Sequence, residues 1–271
     1  MLLIYLLVML CDAFDFWGRA MSTQILLTND DGVRSEGIRV LGEALRAFGA
    51  VITVAPSLEV SAVSHGLTLN KPLRLERIAS DVFSVDGTPT DCINVAMAEI
   101  LSDKPDLVVS GINKGLNVGD DVTYSGTVAG ALEGVLLGVP SLAVSLEQAA
   151  EGFDFNQATK ATVVVADAVL RQGLPPRTLL NINVPEARVR GFRVTVQAKR
   201  SYAASVRESI DPRGCAYYWI GEGQYEWESN ARSDYQAIKE GWVSITPLQP
   251  DLTNHAAVEV AESTFETLSL G

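Results

Sequence analysis

Histidine and cysteine are scarce in this chain: two histidines, His65 and His255, and three cysteines, Cys11, Cys92 and Cys215, among 271 residues. Two imidazoles cannot furnish a His-rich dinuclear metal site, and three widely separated thiols fit neither a zinc site nor a disulfide framework. A reducing, cytoplasmic setting is the expectation. Positive charge is also short, with 21 Lys and Arg against 33 Asp and Glu and a formal charge of −12. That disfavours a nucleic-acid polymer as the main partner, while small anions stay possible where a local site is positive. The apolar run Leu2 to Leu10 has nine residues, too few to span a bilayer, so no membrane partner is expected.

Familiar catalytic signatures are missing as well. Asn113-Lys114-Gly115 lacks the glycine spacing and following hydroxyl of a P-loop, and no Gly-x-Gly-x-x-Gly follows the first strand. No Gly-x-Ser-x-Gly elbow is present for a serine hydrolase. A phosphatase with an aspartyl nucleophile in Asp-x-Asp-Gly would meet Asn29 where that nucleophile belongs.

What is present is a foldable α/β pattern. Hydrophobic residues make up 47% and charged residues 20%, and a chain of this length buries about three quarters of its unfolded surface. Residues 1–20 do not match the rest. They lack the basic flank of an export signal, and Met21, directly before the first strand, is the expected natural start. From residue 21 to about 190, strands and helices alternate, which predicts a Rossmann-like, mostly parallel, doubly wound sheet. Strands are expected at 24–27, 50–55, 106–110, 141–145 and 178–184, with hairpin strands near 67–75 and 81–85. Helices are expected at 36–48, behind an N-cap at Thr90, at 127–137 and at 156–171. Residues 191–245 hold three of the four tryptophans and many turn residues and predict a β-rich arm, packed on its own core or around another subunit. Residues 246–271 return to the core.

The organising stretch is Gln24 to Val33, where three aliphatics run into Thr28-Asn29-Asp30-Asp31-Gly32. Two adjacent carboxylates repel each other strongly at low dielectric, so a cation between them is one reading; Asn, Asp and Gly are also turn formers, so a plain turn is the other. The rest of the chain supplies further ligands. In an open α/β sheet the crevice beyond the strand ends collects Asp30, Asp31, Ser61 and Asn113. Carboxylate, hydroxyl and amide oxygens suit a hard divalent ion, Mg²⁺, Mn²⁺ or Ca²⁺. Ser125, Gly126 and Thr127 open a helix, where free N–H groups favour a phosphate.

Thr28-Asn29-Asp30-Asp31-Gly32, Val54-Ala55-Pro56 with Ser61, Gly87-Thr88-Pro89-Thr90-Asp91-Cys92, Ser110-Gly111-Ile112-Asn113, Gly119-Asp120-Asp121 and Tyr124-Ser125-Gly126-Thr127 together resemble the SurE survival-protein family. The likeness continues through Asp211-Pro212-Arg213-Gly214, Tyr218-Trp219-Ile220-Gly221 and Gly241 to Leu248, so it covers nearly all of residues 24–260. It implies a metal-dependent 5'-nucleotidase that hydrolyses nucleoside 5'-monophosphates, with some relatives also taking 3'-monophosphates or short polyphosphate. It further implies one divalent ion per subunit on Asp30, Asp31, Ser61 and Asn113, and an arm that builds a homodimer or homotetramer. Asp30 or Asp31 would orient or deprotonate the attacking water. Leu58-Glu59-Val60 and His65-Gly66 depart from the more polar, often basic run of the family, which bears on substrate preference. The competing expectation is a non-catalytic, metal-dependent nucleotide sensor.

Overall fold

The computed structural model describes residues 23–186, 188–201, 205–221, 226–266 and 268; residues 1–20 and the start at Met21 lie outside them. The central strand is β1 (Gln24–Thr28), flanked in parallel by β2 (Ala50–Pro56) and β5 (Leu107–Lys114). β6 (Ser141–Leu146) and β7 (Leu179–Val184) extend the sheet in parallel on one side. On the other side β4 (Val82–Val85) pairs parallel to β2, and β3 (Leu75–Ala79) closes the edge antiparallel to β4. Beyond β7 come β11 (Val243–Leu248), antiparallel, and β8 (Phe192–Val194), giving the order β3-β4-β2-β1-β5-β6-β7-β11-β8.

The central strands β1, β5 and β6 are buried on both sides because both faces there are covered by helices. Ile25 and Leu27 belong to the core under α1 (Glu36–Leu45) and α4 (Phe155–Gln172), together with Ile38, Leu41, Val109, Phe155 and Val165. Leu26, between them, points to the opposite face, where it meets Val54, Cys92, Ile93 and Val108 against α2 (Pro89–Val95). The third core cluster joins Val128, Ala131 and Val135 of α3 (Gly126–Leu136) to Ala143 and Leu179. The doubly wound, mostly parallel α/β sheet thus has the expected architecture.

Local differences have physical causes. The N-cap of α2 is Thr88, whose hydroxyl takes the Asp91 N–H while Asp91 takes the Thr88 N–H, with Pro89 at the first helical position. This capping box outcompetes Thr90, which lies buried inside the helix. The first hairpin strand falls at 75–79, eight residues after the expected start, because residues 67–74 run as an irregular connection. Strand β5 does not stop at Ser110 but runs to Lys114, with a cis Gly111–Ile112 peptide and a register shift against β6 between Ser110 and Asn113.

Among its described residues the expected β-rich arm contains one separate hairpin, β9 (Ser205–Ile210) with β10 (Ala216–Gly221). Its base docks on the loop after β5. Asp234, at the start of α5 (Asp234–Lys239), accepts from the N–H groups of Gly119 and Ala198, each at 2.9 Å. Arg200 pairs with Asp121 and lies over the Trp227 ring, which stacks on Tyr235 with centroids 4.2 Å apart. The return to the core is made by β11, where Thr246 is buried; the described residues from Asp251 on, α6 (Val258–Phe265) included, are exposed.

Candidate metal and phosphate site

The sheet order reverses between β2-β1 and β5, so the crevice at the carboxyl ends of β1 and β5 is the switch point where open α/β sheets bind ligands. Four segments meet there. Asp30 and Asp31 leave β1, and Gly32 turns the chain with φ +94°, a left-handed conformation that favours glycine. The Ser61 loop lies on this turn, its Val60 N–H donating to the Asp30 carbonyl at 2.9 Å. From the end of β5 the Lys114 N–H reaches Asp31 Oδ2 at 3.4 Å. From α3, Thr127 donates its N–H to Asp30 Oδ2 at 3.0 Å and its hydroxyl to Asp30 Oδ1 at 2.5 Å.

Each residue expected at the site has a definite place. Asp30 is 6% exposed, whereas Asp31 is half-buried. Asn113 donates from Nδ2 to the Gly115 carbonyl at 2.9 Å, which reserves its Oδ1 as an acceptor. Ser61 is exposed and donates to Glu59 Oε1 at 2.8 Å. Ser125 is the N-cap of α3, its Oγ accepting from the Val128 N–H at 3.0 Å. Gly126 has no Cβ for a steric reason: one placed there would lie 2.9 Å from both Cβ and Oδ2 of Asp30.

Electrostatically the crevice is short of positive charge. Burial raises the Asp30 carboxyl above its ordinary range, against the lowering by Thr127, and Glu59 adds to the rise. Asp31 is raised by burial first, then by repulsion from Asp30, with Glu59 adding and Lys114 opposing. Among the described residues, no three His, Cys, Asp or Glu side chains form a metal-type cluster. The two carboxylates, with the Asn113 amide oxygen and the Ser61 hydroxyl on neighbouring segments, offer only oxygen donors, the chemistry that fits a hard divalent ion.

Two residues at this site escaped the expectations drawn from sequence. Glu59 adds negative charge that both aspartates feel, and Lys114 a partial counter-charge on Asp31. Their signal was adjacency, Glu59 two residues before Ser61 and Lys114 directly after Asn113, but distance along the chain does not say which way a side chain faces.

Comparison with known proteins decides the family. The model of the family described as Survival protein SurE matches residues 25–204. The chain belongs to the SurE family. The 5'-nucleotidase SurE of Geotalea daltonii is 50% identical over 240 residues, covering 88% of this chain and 97% of that protein. Its namesake from Syntrophotalea carbinolica is 48% identical over 247 residues, covering 91% and 99%. Among solved structures, the SurE protein of Aquifex aeolicus superposes with a TM-score of 0.79 at 44% identity, covering 89% of this chain and 99% of that one. No helix among the described residues is long and apolar enough to cross a membrane.

Proposed function

We propose that this SurE-family chain is a metal-dependent 5'-nucleotidase, hydrolysing nucleoside monophosphates to nucleoside and phosphate at the Asp30–Asp31 crevice. It is a hydrolase, as its 5'-nucleotidase relatives are named. The observation that carries the site assignment is the convergence of two mutually repelling carboxylates with the Asn113 strand end at the switch point. A divalent ion held by Asp30, Asp31, Ser61 and Asn113, Mg²⁺ or Mn²⁺ by the hardness of the ligands, would polarise a phosphoryl oxygen and activate water.

The chain's own groups do the rest. Asp31, the less buried of the pair, would orient the attacking water and accept its proton. The Gly126 N–H is the donor that the start of α3 offers to a phosphoryl oxygen, since the Val128 and Thr127 N–H groups are engaged by Ser125 and Asp30. Lys114 offsets negative charge on the side of Asp31. The exposed aromatic hairpin β9–β10 fits a role as an arm between subunits of a homodimer or homotetramer.

The test is phosphate release from nucleoside 5'-monophosphates, 3'-monophosphates and short polyphosphate, with Mg²⁺, with Mn²⁺ and with excess EDTA. Release that needs the ion and is strongest on a monophosphate is expected. Equal release in EDTA would sink the metal reading, and binding of nucleotide without any release would leave the sensor in its place.

A further inference from the structure

We infer that Thr127 is a positioning residue that fixes the Asp30 carboxylate, and that its donors are not available to substrate phosphate. The inference rests on the reading of Asp30 as a metal ligand. Thr127 is fully buried and grips both oxygens of that carboxylate at once, the hydroxyl on Oδ1 at 2.5 Å and the backbone N–H on Oδ2 at 3.0 Å. A carboxylate held on both oxygens has its plane and rotation set, while each oxygen keeps a second lone pair for another partner.

The first turn of α3 is shaped around this grip. A helix start is an anion site because its leading N–H groups have no intrahelical acceptor. Here an anion from the same chain already fills part of that place: Asp30 takes the Thr127 N–H, and Ser125 Oγ takes the Val128 N–H. Gly126 leaves the space for it, since a Cβ at that position would come within 2.9 Å of Asp30 Oδ2. The branched Thr127 side chain has few rotamers in a helix, so its hydroxyl stays on target. Turning it toward a phosphate would strip a donor from a buried carboxylate.

The experiment uses the full chain, stripped of metal, and titrates Mn²⁺ by calorimetry into wild type, Thr127→Val, Thr127→Ser and Gly126→Ala. Substitution of groups that orient a metal ligand typically weakens affinity about 10- to 100-fold. Thr127→Val and Gly126→Ala are expected to lose at least about tenfold in Mn²⁺ affinity, and Thr127→Ser, which keeps both donors, to stay within about threefold of wild type. At saturating Mn²⁺, Thr127→Val should lower kcat with KM for a nucleoside monophosphate unchanged. Wild-type Mn²⁺ affinity in Thr127→Val with a raised KM would overturn the inference and make Thr127 a phosphate ligand. If Thr127→Val does not fold, Gly126→Ala decides by the same measure, and wild-type affinity there overturns it. A wild-type chain that binds no Mn²⁺ would instead remove the metal reading itself.

Discussion

His65 Nε2 lies 2.8 Å from Glu133 Oε2, tying the loop that carries Ser61 to the middle of α3. Glu133 is buried and takes a second bond on Oε1 from Asn94 Nδ2 at 2.7 Å. One helix therefore holds the crevice from two directions, through Thr127 to Asp30 and through Glu133 to the Ser61 loop.

The bond to His65, reinforced by Asn94, draws the Glu133 carboxyl below its ordinary value of 4.5. A carboxyl lowered in the folded state stabilises the fold above its unfolded pKa, and that contribution is lost as pH falls through the folded one. Glu133→Gln should therefore flatten the acid limb of the melting-temperature profile below about pH 4.5. His65→Ala leaves a buried carboxylate with one partner fewer and should cost about 1–3 kcal/mol at neutral pH, read by urea unfolding.

Asp30 and Asp31 have the opposite sign. Both are raised above the ordinary 3.8, so their contribution to the metal-free fold is present below that value and fades as pH rises through the folded pKa values. The rise in melting temperature on adding Mn²⁺ should accordingly be larger at pH 7 than at pH 4. A rise of equal size at both would argue against the cation sitting between these carboxylates.

Asn113→Ala and Asp31→Asn should each lower phosphatase activity by at least about tenfold. The metal-free protein should melt no lower than wild type for Asp31→Asn, because the substitution relieves repulsion from Asp30. High metal should partly rescue Asn113→Ala. Wild-type metal affinity and turnover in Asn113→Ala would show that the ion is held elsewhere.

The hairpin leaves Trp219 66% and Ile220 88% exposed, an apolar surface suited to a subunit contact. Trp219→Ala with Ile220→Asp should shift the species seen by light scattering toward a smaller mass while turnover per chain changes less. A wild-type chain that is monomeric at micromolar concentration would refute the arm's assignment.

The central sheet, and the position of Asp30 and Asp31 just beyond its first strand, were legible in the sequence because they depend on short-range pattern: aliphatic runs closed by polar loops, repeated at helix-length intervals. Asn113 was legible as a residue, yet its strand was expected to end before it. A bulged strand and an ordinary loop look alike when Gly111 and Asn113 are both turn formers, and only pairing with β6 tells them apart. Thr88 and Thr90 compete for the same cap, and the winner is set by Asp91 reaching back three residues. The grip of Thr127 on Asp30 spans 97 positions, and no local rule encodes it.

The insertion of β11 between β7 and β8 has an architectural consequence. β8 and β11 run parallel, with Phe192 in register with Val243 and Val194 with Ile245, so the excursion leaves at the carboxyl end of β8 and crosses back to the amino end of β11 before it re-enters the sheet. Closing a longer or shorter excursion there changes the closure entropy by only about 0.6 kcal/mol per doubling of length. Changes of length are therefore cheap in the exposed hairpin β9–β10, whereas the stretches on either side of it are fixed to the body of the sheet by the buried Ala198, Asp234, Ala237 and Ile238.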